Sequence, residues 1–154
     1  MKENTEHYTD TLGYLMEQTV IYLKEKGEQV FKELKLEITL EQLITIDTIL
    51  ANPGICQMDL SRLILRERSY TSRILDGLEK RGFVERKISK KNKRLVNELH
   101  VTAEAQTFLL QHRETLKRMS EDVYKDISEE EFYAIRNGIL KMKECVSKFT
   151  VIPL

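Results

Sequence analysis

Residues 69–94 read SYTSRILDGLEKRGFVERKISKKNKR, and this stretch predicts a helix that runs directly into a β-hairpin. Side chains that should face a core recur at helical spacing along its first half: Thr71, Ile74, Leu75 and Leu78. Gly82 is typical of a helix end. Residues 83–88 and 95–101 have the composition of two strands. The predicted hairpin tip joins them and is strongly basic: Ser89, Lys90, Lys91, Asn92 and Lys93.

Positive charge is concentrated in this part of a chain that is neutral overall. Of the 25 Lys and Arg residues, 12 lie between Arg62 and Arg94, against 4 of the 25 Asp and Glu residues, a local net charge of +8. Nucleic acid attracts such a cluster, because each neutralised phosphate releases counterions. A solvated charged helix and hairpin is the alternative. The order of helix and then basic wing favours a surface that binds duplex DNA.

Length and composition exclude several other classes of protein. The 154 residues suit one domain with helical extensions, and 41% hydrophobic with 32% charged residues is typical of a helix-rich globular protein. No apolar run approaches the roughly 20 residues that span a bilayer. The first ten residues lack a signal-peptide pattern, and two distant cysteines make no disulfide framework, so we expect a cytoplasmic protein. No nucleophile–histidine constellation, GxGxxG, P-loop or HExxH motif is present, which argues against an enzyme.

The predicted fold is mainly α with a small β-hairpin: a winged helix-turn-helix flanked by N- and C-terminal dimerisation helices. We divide the chain into a dimerisation helix (1–36), the winged helix-turn-helix (37–101) and two further dimerisation helices (102–154). Predicted N-caps are Thr39 (with Gln42), Ser69, Thr102 and Ser128 (with Glu131). In the domain core we expect Leu43, Ile46, Ile49, Leu50, Leu60, Leu63 and Ile64. The flanking helices are too apolar to stand alone, so a second copy of the chain should cover them.

Several motifs together resemble the MarR family of bacterial transcription regulators. Residues 38–42, ITLEQ, are similar to the family's LT-x-x-Q, and Pro53-Gly54 followed by residues 59–61, DLS, to its PG…ELA. Residues 69–84 resemble S-x-V-T-R-L-L-D-x-L-E-x-x-G-L-V. At the wing, NKR at 92–94 stands where the family has D-x-R, and VTAEA at 101–105 where it has L-T-x-x-G. Asn92 therefore replaces an aspartate that normally holds the wing arginine, Arg94, in place.

This resemblance implies roles for individual residues in binding double-stranded DNA. The major-groove set comprises Ser69, Tyr70, Ser72 and Arg73, to which we add Arg68 just before the helix. Arg94 would enter the minor groove, and Lys90, Lys91 and Lys93 would attract phosphates. For Arg73 the alternative is a surface or intramolecular salt bridge, and for Tyr70 it is partial burial.

The resemblance also implies a homodimer with an effector pocket between the dimerisation helices and the winged domain. A small aromatic or anionic molecule would bind there, and Tyr14 and Tyr22 are candidate lining residues, although such aromatics also suit interface core. Cys56 follows a turn near a helix start, where a thiol can become reactive; a small, partly buried residue in a cap position is the alternative. The histidines show no ligand spacing, so we expect no metal and no cofactor.

The resulting hypothesis is a dimeric repressor of a pseudo-palindromic operator of about 16–20 base pairs, as two half-sites one turn apart imply. A small-molecule effector or oxidation would relieve repression by changing the spacing of the two recognition helices. The alternative hypothesis is a winged-helix protein-interaction module that does not bind DNA. That alternative predicts dispensable basic residues, against which the +8 cluster argues.

Overall fold

The helices and strands follow the predicted order in the computed structural model, which describes residues 7–91 and 94–148, the side chains of Lys91 and Arg94 excepted. A 3₁₀ turn, Tyr8–Asp10, precedes the first α-helix. The helices are α1 (Leu12–Glu33), α2 (Leu40–Ala51), α3 (Gln57–Leu63), α4 (Arg68–Lys80), α5 (Ala103–Tyr124) and α6 (Glu129–Ser147). The strands are β1 (Ile55–Cys56), β2 (Val84–Lys91) and β3 (Arg94–Val101). The predicted fold class, mainly α with a small β-element, is confirmed.

The sheet has three antiparallel strands in the order β1-β3-β2. Strands β2 and β3 pair from Val84 opposite Val101 to Lys91 opposite Arg94, so the hairpin is longer than predicted. Ser89, Lys90 and Lys91 belong to β2 rather than to a loop, because cross-strand pairing continues to Lys91. Strand β1 was not predicted, since its two residues carry no periodic signal and depend on pairing with Leu99 and Glu98.

The predicted caps are confirmed at three helix starts and wrong at the fourth. Thr39 and Gln42 form a full capping box, as do Ser128 and Glu131. Thr102 Oγ1 accepts from the Ala105 amide at 3.2 Å. Helix α4, however, begins at Arg68 with Glu67 at the N-cap, not Ser69. The extended backbone of Glu67 offers its carbonyl to both the amide and the hydroxyl of Thr71, each at 2.9 Å, and so starts the helix early. Arg68 therefore lies within the first turn.

The apolar core lies in the winged domain. Among the described residues, the buried apolar side chains are Phe31, Ile38, Ile46, Ile49, Leu60, Ile74, Leu75, Leu78, Phe83, Val84, Leu99 and Ala105. Two inward predictions were wrong: Leu50 is 38% exposed and Leu63 is 56% exposed. Leu50 lies about 100° around the helix from the buried Ile49, and the short α3 contacts the core through Leu60 and Ser61 instead.

Gly82 joins the recognition helix to the wing, as its position predicted. Its φ of +71° lies in the left-handed region, where a side chain costs roughly 1–2 kcal/mol. Its amide donates to the Glu79 carbonyl, and the Phe83 amide donates to the Leu78 carbonyl, both at 2.9 Å. This closed turn places the buried Phe83 and Val84 directly after α4. Since β2 begins at Val84, the wing starts next to the end of α4.

The flanking helices expose many apolar side chains in the single chain. The most exposed on α1 and α5 include Leu12, Leu15, Val20, Ile21, Tyr22, Leu110 and Val123, and those on α6 include Tyr133, Ile135, Ile139, Leu140 and Val146. By contact pattern the chain divides into two compact units after His112, within α5. In the second unit the rings of Tyr124 and Phe132 meet edge to face with centroids 5.2 Å apart. Within the described ranges, no helix has the length and apolar character needed to cross a bilayer.

Candidate nucleic-acid interface

Helix α4 presents one face to the core and the opposite face to solvent. Thr71, Leu75 and Leu78 are fully buried. Because residues three and four apart share a helix face, the exposed side chains opposite them form an outward row: Ser69, Arg73, Asp76 and Lys80. Ser72 is half-buried at the edge of this row, and Arg68 is exposed in the first turn. The residues predicted to face the DNA groove thus lie on the outward face of α4 or at one edge of it. Tyr70 is the exception, because it lies at the opposite edge of that face.

Much of the positive charge between Arg62 and Arg94 is neutralised within the protein. Ion pairs join Arg62 to Asp59 at 3.3 Å, Arg66 to Glu41 at 2.6 Å, Arg81 to Glu37 at 3.4 Å and Lys87 to Glu85 at 2.6 Å. Arg86 pairs with Asp76 at 3.2 Å and also with Glu79. Side chains held in this way are less available to a phosphate, because a new contact must first break the existing one.

A second group of cations has no ion pair among the described side chains: Arg68, Arg73, Lys80 and Lys90. All of them are exposed, on α4 or on β2. Arg68, Arg73 and Lys90 belong to the set predicted to bind DNA, whereas Lys80 was missed although it continues the row of Ser69 and Arg73. The predictions for Lys93 and Asn92 lie outside the described residues, as do the side chains of Lys91 and Arg94.

Arg86 connects the wing to the recognition helix. It stands on β2, two residues after the buried Val84 and therefore on the same face of the strand. Its guanidinium donates to Asp76 Oδ1 at 3.2 Å and to Glu79, both on α4. Two carboxylates on successive turns of the helix thus hold one arginine of the strand, which restrains the angle between helix and wing. Strand alternation from Val84 already indicates in the sequence that Arg86 lies on the inner face of β2.

Glu41, Arg66 and Tyr70 form a polar cluster that links α2 to the start of α4. Arg66 donates to Glu41 Oε1 through Nε at 3.2 Å and through Nη2 at 2.6 Å, and the Tyr70 hydroxyl donates to Glu41 Oε2. Burial by itself raises the pKa of Glu41, but the hydrogen bonds from Tyr70 and Arg66, together with the charge of Arg66, lower it overall. The same hydrogen bond raises the pKa of the Tyr70 hydroxyl. Glu41 is therefore held as a carboxylate that fixes both partners.

This cluster should make stability depend on acid pH. A carboxyl whose pKa is lowered on folding stabilises the protein above its unfolded pKa, here near the ordinary value of 4.5, and loses that effect as pH falls through the folded pKa. We expect the difference in free energy of unfolding between wild type and Glu41→Gln to favour wild type at neutral pH and to shrink below pH ~4. Urea unfolding of both proteins between neutral and acid pH measures it. A difference that grows on acidification would contradict the assignment.

Cys56 occupies the N-cap position of α3 and is half-buried, as the cap interpretation expected. It makes no side-chain cap hydrogen bond; instead its Sγ donates to Asp59 Oδ2 at 3.2 Å. The position was predicted correctly, but Sγ accepts no hydrogen bond from a helix amide and instead donates its proton to a carboxylate. Residues 7–91 and 94–148 contain no group of three His, Cys, Asp or Glu side chains arranged to hold a metal ion.

The candidate effector residues lie on α1. Tyr14 is half-buried, packs edge to face against Tyr8 at 5.9 Å and accepts a hydrogen bond from Gln18 Nε2 at 3.3 Å; Tyr22 is 62% exposed. Further along α1, an open groove of about 930 Å³ separates the helix from the start of α2. Its walls combine apolar side chains such as Phe31 and Leu36 with charged side chains of both signs, three cations and three carboxylates: Lys24, Lys32, Arg81, Glu25, Glu28 and Glu37.

Helices α3 and α4, the hairpin beside them and the outward cationic face define a winged helix-turn-helix protein. Residues 38–96 match the model of the MarR family, which confirms the resemblance seen in the motifs. Proteins of this family are transcription regulators and not enzymes. No curated protein sequence matches the chain.

Solved structures of MarR-family regulators have the same fold. MepR of S. aureus, solved as a complex with DNA, is 21% identical, with 91% of this chain and 99% of that chain covered and a TM-score of 0.73. A MarR-family regulator from Silicibacter pomeroyi is 16% identical, with 97% and 100% covered and a TM-score of 0.78. A MarR protein from Peptoclostridium difficile is 23% identical, with 95% and 92% covered and a TM-score of 0.73. At these identities the likeness establishes the fold.

Proposed function

We propose that the chain is a homodimeric, sequence-specific DNA-binding repressor. The observation that carries this proposal is the exposed surface of α4, where Arg73 on the outward face and Arg68 in the first turn have no ion pair among the described residues. Two exposed, unpaired arginines on a recognition helix suit the phosphates and base edges of duplex DNA. The MepR of similar fold has been solved as a DNA complex.

The roles of the residues follow from their positions. Arg73 stands at the middle of α4, where a guanidinium reaches guanine O6 and N7 in the major groove, and Arg68 contacts base or backbone from the first turn. Ser69 and Ser72 beside them donate to phosphate or base edges. Lys90 on the exposed side of β2, with Lys91 and Lys93, attracts the flanking phosphates. Arg94 enters the minor groove, as the family resemblance implies. Because Arg66 and Arg86 are held in intramolecular ion pairs, the contacts with DNA are made by the unpaired cations.

The exposed apolar side chains of α1, α5 and α6 support a dimer. None of the residues of α6 is buried in the single chain, although its apolar residues repeat at helical spacing. Covering the apolar stripe of such a helix stabilises it by about 25 cal/mol per Å² of apolar surface removed from water. A second copy is the simplest cover, and a two-fold dimer presents two recognition helices to successive major grooves about 34 Å apart.

We expect a bound ligand, rather than oxidation of Cys56, to be the signal that relieves repression. The groove between α1 and α2 joins apolar walls to charged side chains of both signs, so it offers apolar and polar contacts to a small molecule; Tyr14 and Tyr22 lie on α1 but are not among its lining residues. The Cys56 thiol is half-buried and donates to Asp59, so it is already engaged within the protein. A ligand that changes the packing of α1 would change the spacing of the recognition helices and release the operator.

Selection of bound fragments from mixed genomic DNA, followed by a salt titration, tests this function. We expect a few fragments sharing a two-fold sequence, two chains per fragment, and log affinity falling with log salt by about 0.9 for each phosphate contacted, on the order of 5 in total. Light scattering of the free protein checks the dimer. Failure to retain any fragment at low salt would overturn the proposal and favour a protein partner for the winged domain.

A further inference from the structure

The ring of Tyr70 has two guanidiniums near it. The Arg73 guanidinium carbon is 5.3 Å from the centre of the Tyr70 ring, and the Arg66 guanidinium carbon is 5.8 Å from it. Both distances are within the range in which a cation is attracted by the ring quadrupole. From this arrangement we infer that Tyr70 is a positioning residue, which holds Arg73 ready to read a base and does not itself contact DNA. The inference rests on the proposed DNA-binding function and adds a determinant of its specificity.

The hydroxyl of Tyr70 is already engaged within the protein. It donates to Glu41, whose other oxygen accepts from Arg66. A donation from Tyr70 to a DNA phosphate would break this bond and leave a partly buried carboxylate with one partner fewer. The ring is half-buried on the flank of α4 and away from the outward row that includes Ser69 and Arg73. The engaged hydroxyl and the half-buried position of Tyr70 thus favour an intramolecular role over contact with DNA.

Glu41 makes the arrangement electrostatically stable. Two guanidiniums near one ring repel each other, but the carboxylate of Glu41 lies 2.6 Å from Arg66 and neutralises it. Arg66 is therefore fixed, and its charge no longer competes with that of Arg73. Among the described residues Arg73 has no ion pair, so the ring of Tyr70 is the contact that restrains it.

Restraint of Arg73 matters because a free arginine loses much rotamer freedom when it binds a base. The arginine side chain has several rotatable bonds, so this loss is large. A side chain held in its reading direction before DNA arrives loses less of that freedom on binding, which strengthens the specific complex. The nonspecific complex, in which Arg73 meets only phosphates, needs no fixed direction. Tyr70 should therefore raise the ratio of specific to nonspecific affinity.

A double-mutant cycle on a selected fragment tests this inference. We expect Tyr70→Leu to weaken specific binding about 2–5-fold per chain in the wild-type background, and so about 4–25-fold for the proposed dimer on a two-fold operator, but by less than about 1.5-fold in the Arg73→Ala background. Tyr70→Phe keeps the ring and should stay close to wild type. Losses of equal size in both backgrounds, or no loss in either, would overturn the inference.

A second measurement needs no DNA and separates this inference from the proposed function. In NMR spectra of the free protein, ring-current shifts of the Arg73 side-chain protons should be present in wild type and in Tyr70→Phe and absent in Tyr70→Leu. Unchanged shifts in a folded Tyr70→Leu protein would show that the ring does not hold Arg73. If the shifts behave as expected but no fragment binds to wild type, the proposed function fails while the contact itself stands.

Discussion

Replacing Arg73 by alanine is expected to weaken binding to the operator strongly while leaving the protein folded. Arg73 is exposed at the centre of the outward face of α4 and has no ion pair among the described residues, so its removal breaks no intramolecular salt bridge. A bidentate arginine–guanine contact discriminates by about 1–3 kcal/mol, which is roughly a 5- to 150-fold change in affinity. Because a dimer uses the residue twice, the loss on a two-fold operator should approach the square of this factor.

Competition binding at one fixed salt concentration, with selected and random fragments, measures the effect. Affinity for random fragments should fall only slightly, since that binding loses one phosphate attraction per chain. Lys125→Ala is the matched control, because it removes one positive charge from an exposed site outside the winged domain. If Arg73→Ala selected the same fragments with wild-type affinity, the bases would be read by other residues, and the assignment of α4 would fail.

Replacing Leu75 by alanine is expected to cost about 2–5 kcal/mol of the free energy of unfolding. Leu75 is 0% exposed on the inner face of α4, where Leu78 and Thr71 are also fully buried, so truncation leaves a cavity that the neighbouring helices cannot easily fill. A loss of this size is a large part of the 5–15 kcal/mol typical of a domain. The variant should therefore unfold at lower urea concentration and lose DNA binding together with its fold.

Leu63→Ala is the control for the Leu75 variant. Its side chain is 56% exposed at the end of α3, so the same change of residue should cost less than about 1 kcal/mol. Both variants should be unfolded in urea at the same protein concentration, because the proposed dimerisation would couple stability to concentration. Equal losses for the two leucines would contradict the packing of α4 against the core.

Features that depend on neighbours in sequence were predicted well. The buried stripe of α4, the capping boxes at Thr39 and Ser128, and the turn at Gly82 each depend on residues within one or two helical turns. Their physics is local: helical periodicity, backbone amides at a helix start, and the left-handed conformation that glycine adopts at no cost. The motif spacing then identified the family domain, which the match over residues 38–96 confirms.

Features that join distant parts of the chain were missed. The Tyr70 hydroxyl bonds to Glu41, 29 residues earlier, and Arg86 pairs with Asp76 and Glu79 across the junction of wing and helix. The two-residue strand β1 exists only because β3 lies beside it. In each case the sequence shows a charged or short segment, but the partner is defined only after the helices pack.

The fold class, the recognition helix and the presence of a cationic surface follow from periodicity and local charge along the chain. Packing of the helices and the wing then selects which cations remain available. Packing of α2 against α4 ties Arg66 to Glu41, and pairing of the wing with α4 ties Arg86 to two carboxylates, while Arg68 and Arg73 keep their charge unpaired. Whether a cation can bind DNA depends on its surroundings in space. A carboxylate a few ångströms away neutralises it, even when the two residues are far apart in the sequence.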